Sequence, residues 1–112
     1  MDDEVLRDMF AGLGPVTVKK MFGGQGIWHQ GIMVGAVVDG VVRLRGDATS
    51  GPEFEAAGGE RWVYSAKMKK AVNMPYWTIP DSAIDDPDEL AVWTRKAYAA
   101  ALRAKAVVGA SG

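Results

Sequence analysis

From Lys20 to Arg45 the chain alternates short apolar blocks with glycines, through Met21-Phe22-Gly23-Gly24-Gln25-Gly26-Ile27-Trp28 and Gly31-Ile32-Met33-Val34-Gly35-Ala36-Val37-Val38 to Asp39-Gly40. A run this rich in glycine and β-branched residues is a poor helix and reads as an antiparallel meander. Asp39-Gly40 is its sharpest signal, because a type I′ hairpin turn needs positive φ at both central residues. Val41 to Arg45 returns on the other side, with Val42 and Leu44 pointing one way and Val41, Arg43 and Arg45 the other. The strand 32–38 is apolar on both faces. That suits a central strand covered on both sides, or one with an exposed face used by a partner.

The flanking segments supply helices and further strands. Val5, Leu6, Met9, Phe10 and Leu13 recur at helical spacing, so residues 2–12 are predicted as a short helix, stopped by Gly12, Gly14 and Pro15. Residues 16–22 and 26–30 are extended pieces. Residues 47–57 read as a second short helix capped by Asp47 and anchored by Phe54. Residues 61–64 and 72–79 are strands, the second interrupted by Pro75, which favours an edge position or a bulge. Residues 80–84 are a connector. A last helix starts with Asp86 as cap, Pro87 in the first turn and Glu89 placed to bond back to the cap. It runs to about Ala106 with Leu90, Trp93, Ala97 and Ala101 on one face and Tyr98 and Leu102 beside it. Residues 1–108 are expected to form one domain and residues 109–112 a flexible tail.

The 112 residues include no cysteine, which removes disulfides, thiolate metal sites and a cysteine nucleophile together. The acidic start Met1-Asp2-Asp3-Glu4 lacks an apolar segment behind it and does not read as a secretory signal. No apolar run approaches the length of a membrane span. A cytoplasmic location without membrane contact is therefore expected. The formal net charge is −1, so the chain lacks the overall cationic field on which duplex DNA binding draws.

An ordered set of short motifs carries a resemblance. Met21-Phe22-Gly23-Gly24-Gln25-Gly26-Ile27, Gly35 with Asp39-Gly40, Leu44-Arg45, Tyr64, Met74-Pro75-Tyr76-Trp77 with Pro80, and Asp85-Asp86-Pro87-Asp88-Glu89-Leu90 with Trp93 follow one another over residues 10–102. Together they resemble the N-terminal domain of the TfoX/Sxy family. The resemblance implies an α+β fold with a five-stranded antiparallel sheet in the order α-β-β-β-α-β-β-α. It implies a regulatory role: two-domain members regulate natural competence, acting with the cyclic-AMP receptor protein at promoters. Neither an enzymatic activity nor a cofactor is implied. The chain leaves no room for the second, C-terminal domain of such members, so a stand-alone N-terminal domain is expected. Members often place a glycine in the basic turn before the Met-Pro-Tyr-Trp strand. Here that turn is Ala66-Lys67-Met68-Lys69-Lys70-Ala71.

The candidate chemistry is sparse. Gly23-Gly24-Gln25-Gly26 lacks the Gly-Lys-Ser/Thr ending and the following helix of a phosphate loop, so a bend or bulge between strands is expected. His29 has no evident metal or base partner beyond Gln30 and Asp39, and is expected at the surface or in a hairpin. Asp81, Asp85, Asp86, Asp88 and Glu89 form an acidic cluster whose members serve helix capping and the helix dipole. Arg95, Lys96, Arg103 and Lys105 read as a solvated helix face. Ser50, Ser65, Ser82 and Thr49 have no base placed near them, so no hydrolase site is legible. The set that most resembles a binding site is Lys67, Lys69 and Lys70 with Arg43 and Arg45 and the aromatic residues Trp62, Tyr64, Tyr76 and Trp77. Cations interleaved with aromatics hold phosphates and stack bases. Trp62 and Tyr64, two apart, are also expected to pack together on one strand face. Two functions follow: an adaptor that contacts transcription proteins such as the cyclic-AMP receptor protein or RNA polymerase, or a weak nucleic-acid-binding module. A homodimer is also expected, from the sheet edges and the two apolar faces of residues 32–38.

Overall fold

The computed structural model describes residues 1–21, 23–65 and 70–111, with side chains through residue 107. Helix α1 (Asp3–Met9) begins where Asp2 Oδ1 accepts from the main-chain N–H of Glu4 and Val5, at 2.7 and 3.4 Å. The cap and the acidic first turn suit the positive end of the helix dipole. Strands β1 (Thr17–Met21), β2 (Gly24–His29), β3 (Ile32–Val38) and β4 (Val41–Arg45) then form the expected meander. Asp39 and Gly40 take φ values of 52° and 75°, the mirror-image turn that matches strand twist. Gln30 and Gly31 do the same between β2 and β3, at 52° and 76°.

Helix α2 (Gly51–Ala56), β5 (Arg61–Tyr64), β6 (Val72–Thr78), the single turn α3 (Asp81–Ile84) and the long α4 (Pro87–Ser111) complete the chain. The sheet is wholly antiparallel, with six strands in the order β1-β2-β3-β4-β6-β5. This corrects the expected five strands. The glycine-rich segment is a full strand, because β2 pairs along its length with β1 on one side and β3 on the other. It is a strand by tertiary pairing rather than by propensity, and it starts at Gly24. The sheet's irregularity lies further on, at a register shift between Ile27 and Trp28.

Pro75 lies on an interior strand, since β6 sits between β4 and β5. Of the two expectations for this proline, the bulge is the one realised. The β5–β6 register shifts between Arg61 and Val63, leaving Met74 to Tyr76 opposite Trp62. The ladder there asks nothing of the missing proline N–H, and the Arg61 side chain donates to the Met74 carbonyl at 2.9 Å.

The register assigns every strand residue to a face. One row runs Val18–Ile27–Gly35–Leu44–Trp77–Arg61 across all six strands. Its middle residues are buried beneath the helices with Val34, Val37 and Val42. Helix α4 packs across β3 and β4 and buries Leu90, Trp93, Ala97 and Ala101 as expected. It also buries Ala100, while Leu102 is exposed. Leu6 of α1 and Phe10, just past its end, reach the same core; Val5 does not. An aromatic stack ties the layers together: Phe54 lies parallel to Trp77 at 6.0 Å and tilted against Trp93 at 4.8 Å.

The charged face of α4 is solvated as expected, and three of its side chains also reach across to other elements. Arg95 donates to the Gly12 carbonyl at 3.1 Å, Lys96 pairs with Glu53 at 3.0 Å, and Arg103 grips Asp47 at 2.7 and 3.1 Å. At its start Asp86 accepts from the N–H of Asp88 and Glu89, the expected cap. Glu89 does not return the bond. Its carboxylate accepts instead from Ser82 of α3 at 2.7 Å, and the Asp86 N–H goes to the Ala83 carbonyl. The connector 80–84 is therefore a helical turn stapled to α4. Helix α4 itself continues to Ser111, past the expected end near Ala106.

Candidate functional site: the open face of the sheet

Alternation sends the other half of each strand to the face that no helix covers. A second row runs Lys19–Gly26–Ala36–Arg43–Thr78 across five strands. Beside it run Met21–Gly24–Val38–Val41 and the pair Arg45–Tyr76. The strands contain Lys19, Lys20, Arg43, Arg45 and Arg61 and no Asp or Glu at all. The chain's near-zero net charge thus conceals a segregation. Carboxylates lie on helices, turns and loops, and the sheet is cationic.

On the open face each cation lies against a ring. Lys19 Nζ is 5.5 Å from the Trp28 ring centre, the Arg43 guanidinium 5.3 Å from Trp62, and that of Arg45 5.7 Å from Tyr76. Trp62 and Tyr76 approach one another at 6.3 Å. Gly26 makes room for Trp28, since a Cβ there would lie 2.4 Å from the indole. Between the rings is an apolar cavity of about 270 Å³, lined by Met21, Met33, Ala36, Val38, Trp62, Met74 and Tyr76 among others. Arg43 Nη1 donates to the Val38 carbonyl at 3.2 Å. The Nε atoms of Arg43 and Arg45 are buried and have no acceptor among the described residues. Neither arginine pairs with a carboxylate there; the ion pairs are Arg7–Asp3, Lys96–Glu53 and Arg103–Asp47.

The structure brings together part of the predicted set. Arg43 and Arg45 share the open face with Trp62 and Tyr76. Trp77 faces the opposite way, into the core. Tyr64 is 51% exposed at the end of β5. Lys70 is exposed just before β6. Lys67 and Lys69 lie outside the described residues. Lys19 and Trp28 were missed by the sequence reading. The signal was present, since Lys19 and Met21 alternate with the inward Val18, but nothing local reveals that β1 pairs β2 in the register that stacks them.

His29 refines another expectation. It sits in the expected hairpin, as the last residue of β2 opposite Ile32, but it is buried at 7% exposure rather than lying at the surface. Its Nδ1 is 2.7 Å from the Pro15 carbonyl, and its ring meets Tyr98 edge-on at 4.9 Å. This is a structural histidine that ties the turn before β1 to α4. His29→Ala is expected to cost about 1–3 kcal/mol by leaving the Pro15 carbonyl unpaired and a void beside Tyr98, read from urea unfolding.

Residues 8–101 match the family model of the TfoX N-terminal domain. The chain belongs to the TfoX N-terminal domain family. No curated protein sequence matches it. The family is of regulatory type. Two of the motifs that carry the resemblance have clear places in the fold. Met74-Pro75-Tyr76-Trp77 forms the bulged strand that sends Tyr76 to the open face and Trp77 to the core, and Asp39-Gly40 closes the central hairpin. Among the described residues no group of three His, Cys, Asp or Glu is arranged to hold a metal ion. No helix among them is long and apolar enough to cross a membrane.

Proposed function

We propose that this TfoX N-terminal domain is a non-enzymatic regulatory adaptor that binds a protein of the transcription machinery through the open face of its sheet. One observation carries the reading. A half-apolar, cationic sheet face with a cavity in it is left uncovered by all four helices, while the other face holds the main core cluster. Exposed apolar surface of this kind marks interaction sites in small domains. Family membership supports a competence-related regulatory role, and the partners it suggests are the cyclic-AMP receptor protein and RNA polymerase.

A second reading is favoured by the charge segregation of the strands. Arg43 and Arg45 with Lys67, Lys69 and Lys70 form a weak nucleic-acid-binding module. It predicts binding that falls steeply with salt and is lost on Lys→Ala and Arg→Ala changes at those positions.

A pull-down of tagged protein from its own cells, with and without nuclease, separates the two. The adaptor reading expects transcription proteins to be retained after nuclease treatment. Retention that disappears with nuclease overturns it in favour of nucleic acid.

A further inference from the structure

We infer that the cavity on the open sheet face docks an acidic, apolar segment of a partner protein. One large aliphatic or aromatic side chain enters between Met33, Met74, Trp62 and Tyr76, and neighbouring carboxylates meet Arg43 and Arg45. The inference rests on the adaptor reading and gives its partner a chemistry.

Size and lining define the apolar half. A volume of about 270 Å³ lies below the range typical of small-molecule sites and suits a single anchoring side chain. Three methionines line it, Met21, Met33 and Met74. Thioether side chains adapt their shape to what they contact, which suits a site that accepts a peptide.

Charge defines the polar half. Arg43 is joined to the cavity three ways: it is the cross-strand partner of Ala36, donates to the Val38 carbonyl and lies over Trp62. Arg45 lies over Tyr76, another wall. Both guanidinium groups lie partly buried on this face, and the Nε–H of each has no acceptor among the described residues. The guanidinium fork matches a carboxylate in two-point geometry, and the strands offer none of their own. A partner's carboxylate at the exposed side of this face gives Arg43 and Arg45 the ion pair that no described residue provides.

The same geometry argues against a stacked base. A base needs a bare ring face. Here Trp28, Trp62 and Tyr76 each carry a cation, and Tyr76 is only 7% exposed.

The test pans a random short-peptide display library on the full chain and measures the best sequence by fluorescence anisotropy. Selected peptides are expected to carry Asp or Glu beside one Leu, Ile, Phe or Trp. Ala36→Leu, which fills the cavity floor, and Arg45→Glu are each expected to weaken binding about tenfold or more. Replacing the peptide carboxylates with lysine is expected to restore binding to the Arg45→Glu variant. That gain cannot come from a misfolded protein. Selection without acidic residues, or affinity unchanged in both variants, overturns the inference. So does a thymidine oligonucleotide that binds this face in place of peptide, or a dimer seen by light scattering and abolished by Ala36→Leu. If nuclease-resistant partners in the pull-down are retained equally by both variants, the docking site fails and an adaptor role stands only through another surface. If all retention is lost with nuclease, the adaptor reading itself fails.

Discussion

Trp77→Ala is expected to lower unfolding stability by about 3–5 kcal/mol, the range for truncating a fully buried aromatic residue. Trp77 is 2% exposed and lies in the row that spans all six strands. Its indole stacks on Phe54 and carries the Arg61 guanidinium 4.6 Å from the ring centre. Its Nε1–H donates to Glu55 at 3.0 Å, so the one polar atom is satisfied and the full apolar burial counts. Small domains have about 5–15 kcal/mol to lose, so the variant is expected to be partly unfolded at moderate urea concentrations. The site allows a sharper test. A Cβ built on Gly51 would lie 2.6 Å from the Trp77 ring. Gly51→Ala alone is expected to cost about 1–3 kcal/mol by overpacking. In the Trp77→Ala background the same methyl enters the vacated space, and its cost is expected to vanish or change sign. Urea titration of the four proteins in this cycle gives the coupling directly. Additive costs would mean that the indole does not fill the space beside Gly51.

The ring that makes this site costly to disturb was legible in the sequence, but its direction was not. Alternation within 41–45 gave the two faces of β4 correctly, because two-residue periodicity needs no partner strand. The Asp39-Gly40 turn and the Asp86 cap were equally local and equally legible. Features decided by pairing were not. Gly24-Gln25-Gly26 has low strand propensity and becomes β2 only because neighbours occupy both its edges. Pro75 tolerates an interior strand because a bulge falls on it, and no residue of β6 alone specifies the opposing register. His29 reads as a surface or hairpin residue, and only Tyr98, far along the chain, shows that the hairpin position is a buried one. Glu89 was placed by spacing to close a capping box, and Ser82 on a helical turn that looked like a connector took its carboxylate instead. The candidate site divides in the same way. Arg43 and Arg45 were found by alternation within one strand. Lys19, Trp28 and the cavity exist only once Lys19, Gly26, Ala36 and Arg43 stand in one row. Net charge misled for a related reason, since −1 averages a cationic sheet against acidic helices and loops.

Asp47→Ala is expected to cost about 2 kcal/mol, from about 1 for a lost turn cap and up to about 1 for a solvent-screened ion pair. Asp47 was expected to cap a helix over residues 47–57; α2 instead begins at Gly51 with Ser50 at its N-cap, and Asp47 holds the turn before it. Its Oδ1 accepts from the N–H of Thr49 and Ser50, each at 3.0 Å, and from Ser50 Oγ at 3.2 Å, fixing the turn that leads into Gly51. The same carboxylate receives two bonds from Arg103 near the far end of α4. One side chain therefore joins the end of β4, the start of α2 and the last helix. The Arg103 guanidinium is the main reason its carboxyl titrates well below the usual carboxylate range; partial burial opposes it and the Ser50 N–H adds to it. The sign follows. A carboxylate whose folded pKa is depressed binds fewer protons folded than unfolded, so its stabilisation is complete above the unfolded value of about 4 and drains away as pH falls toward the folded one. Urea midpoints measured from neutral pH down to about pH 3 are expected to fall in the wild type. They are expected to fall less in Asp47→Asn, which keeps a turn acceptor and removes the titration. Arg103→Ala separates the contributions, costing about 1 kcal/mol or less and losing its effect at high salt. An acid slope unchanged in Asp47→Asn would show that other carboxylates carry the pH dependence. The Asp47–Arg103 grip would then hold α4 in place without stabilising the fold.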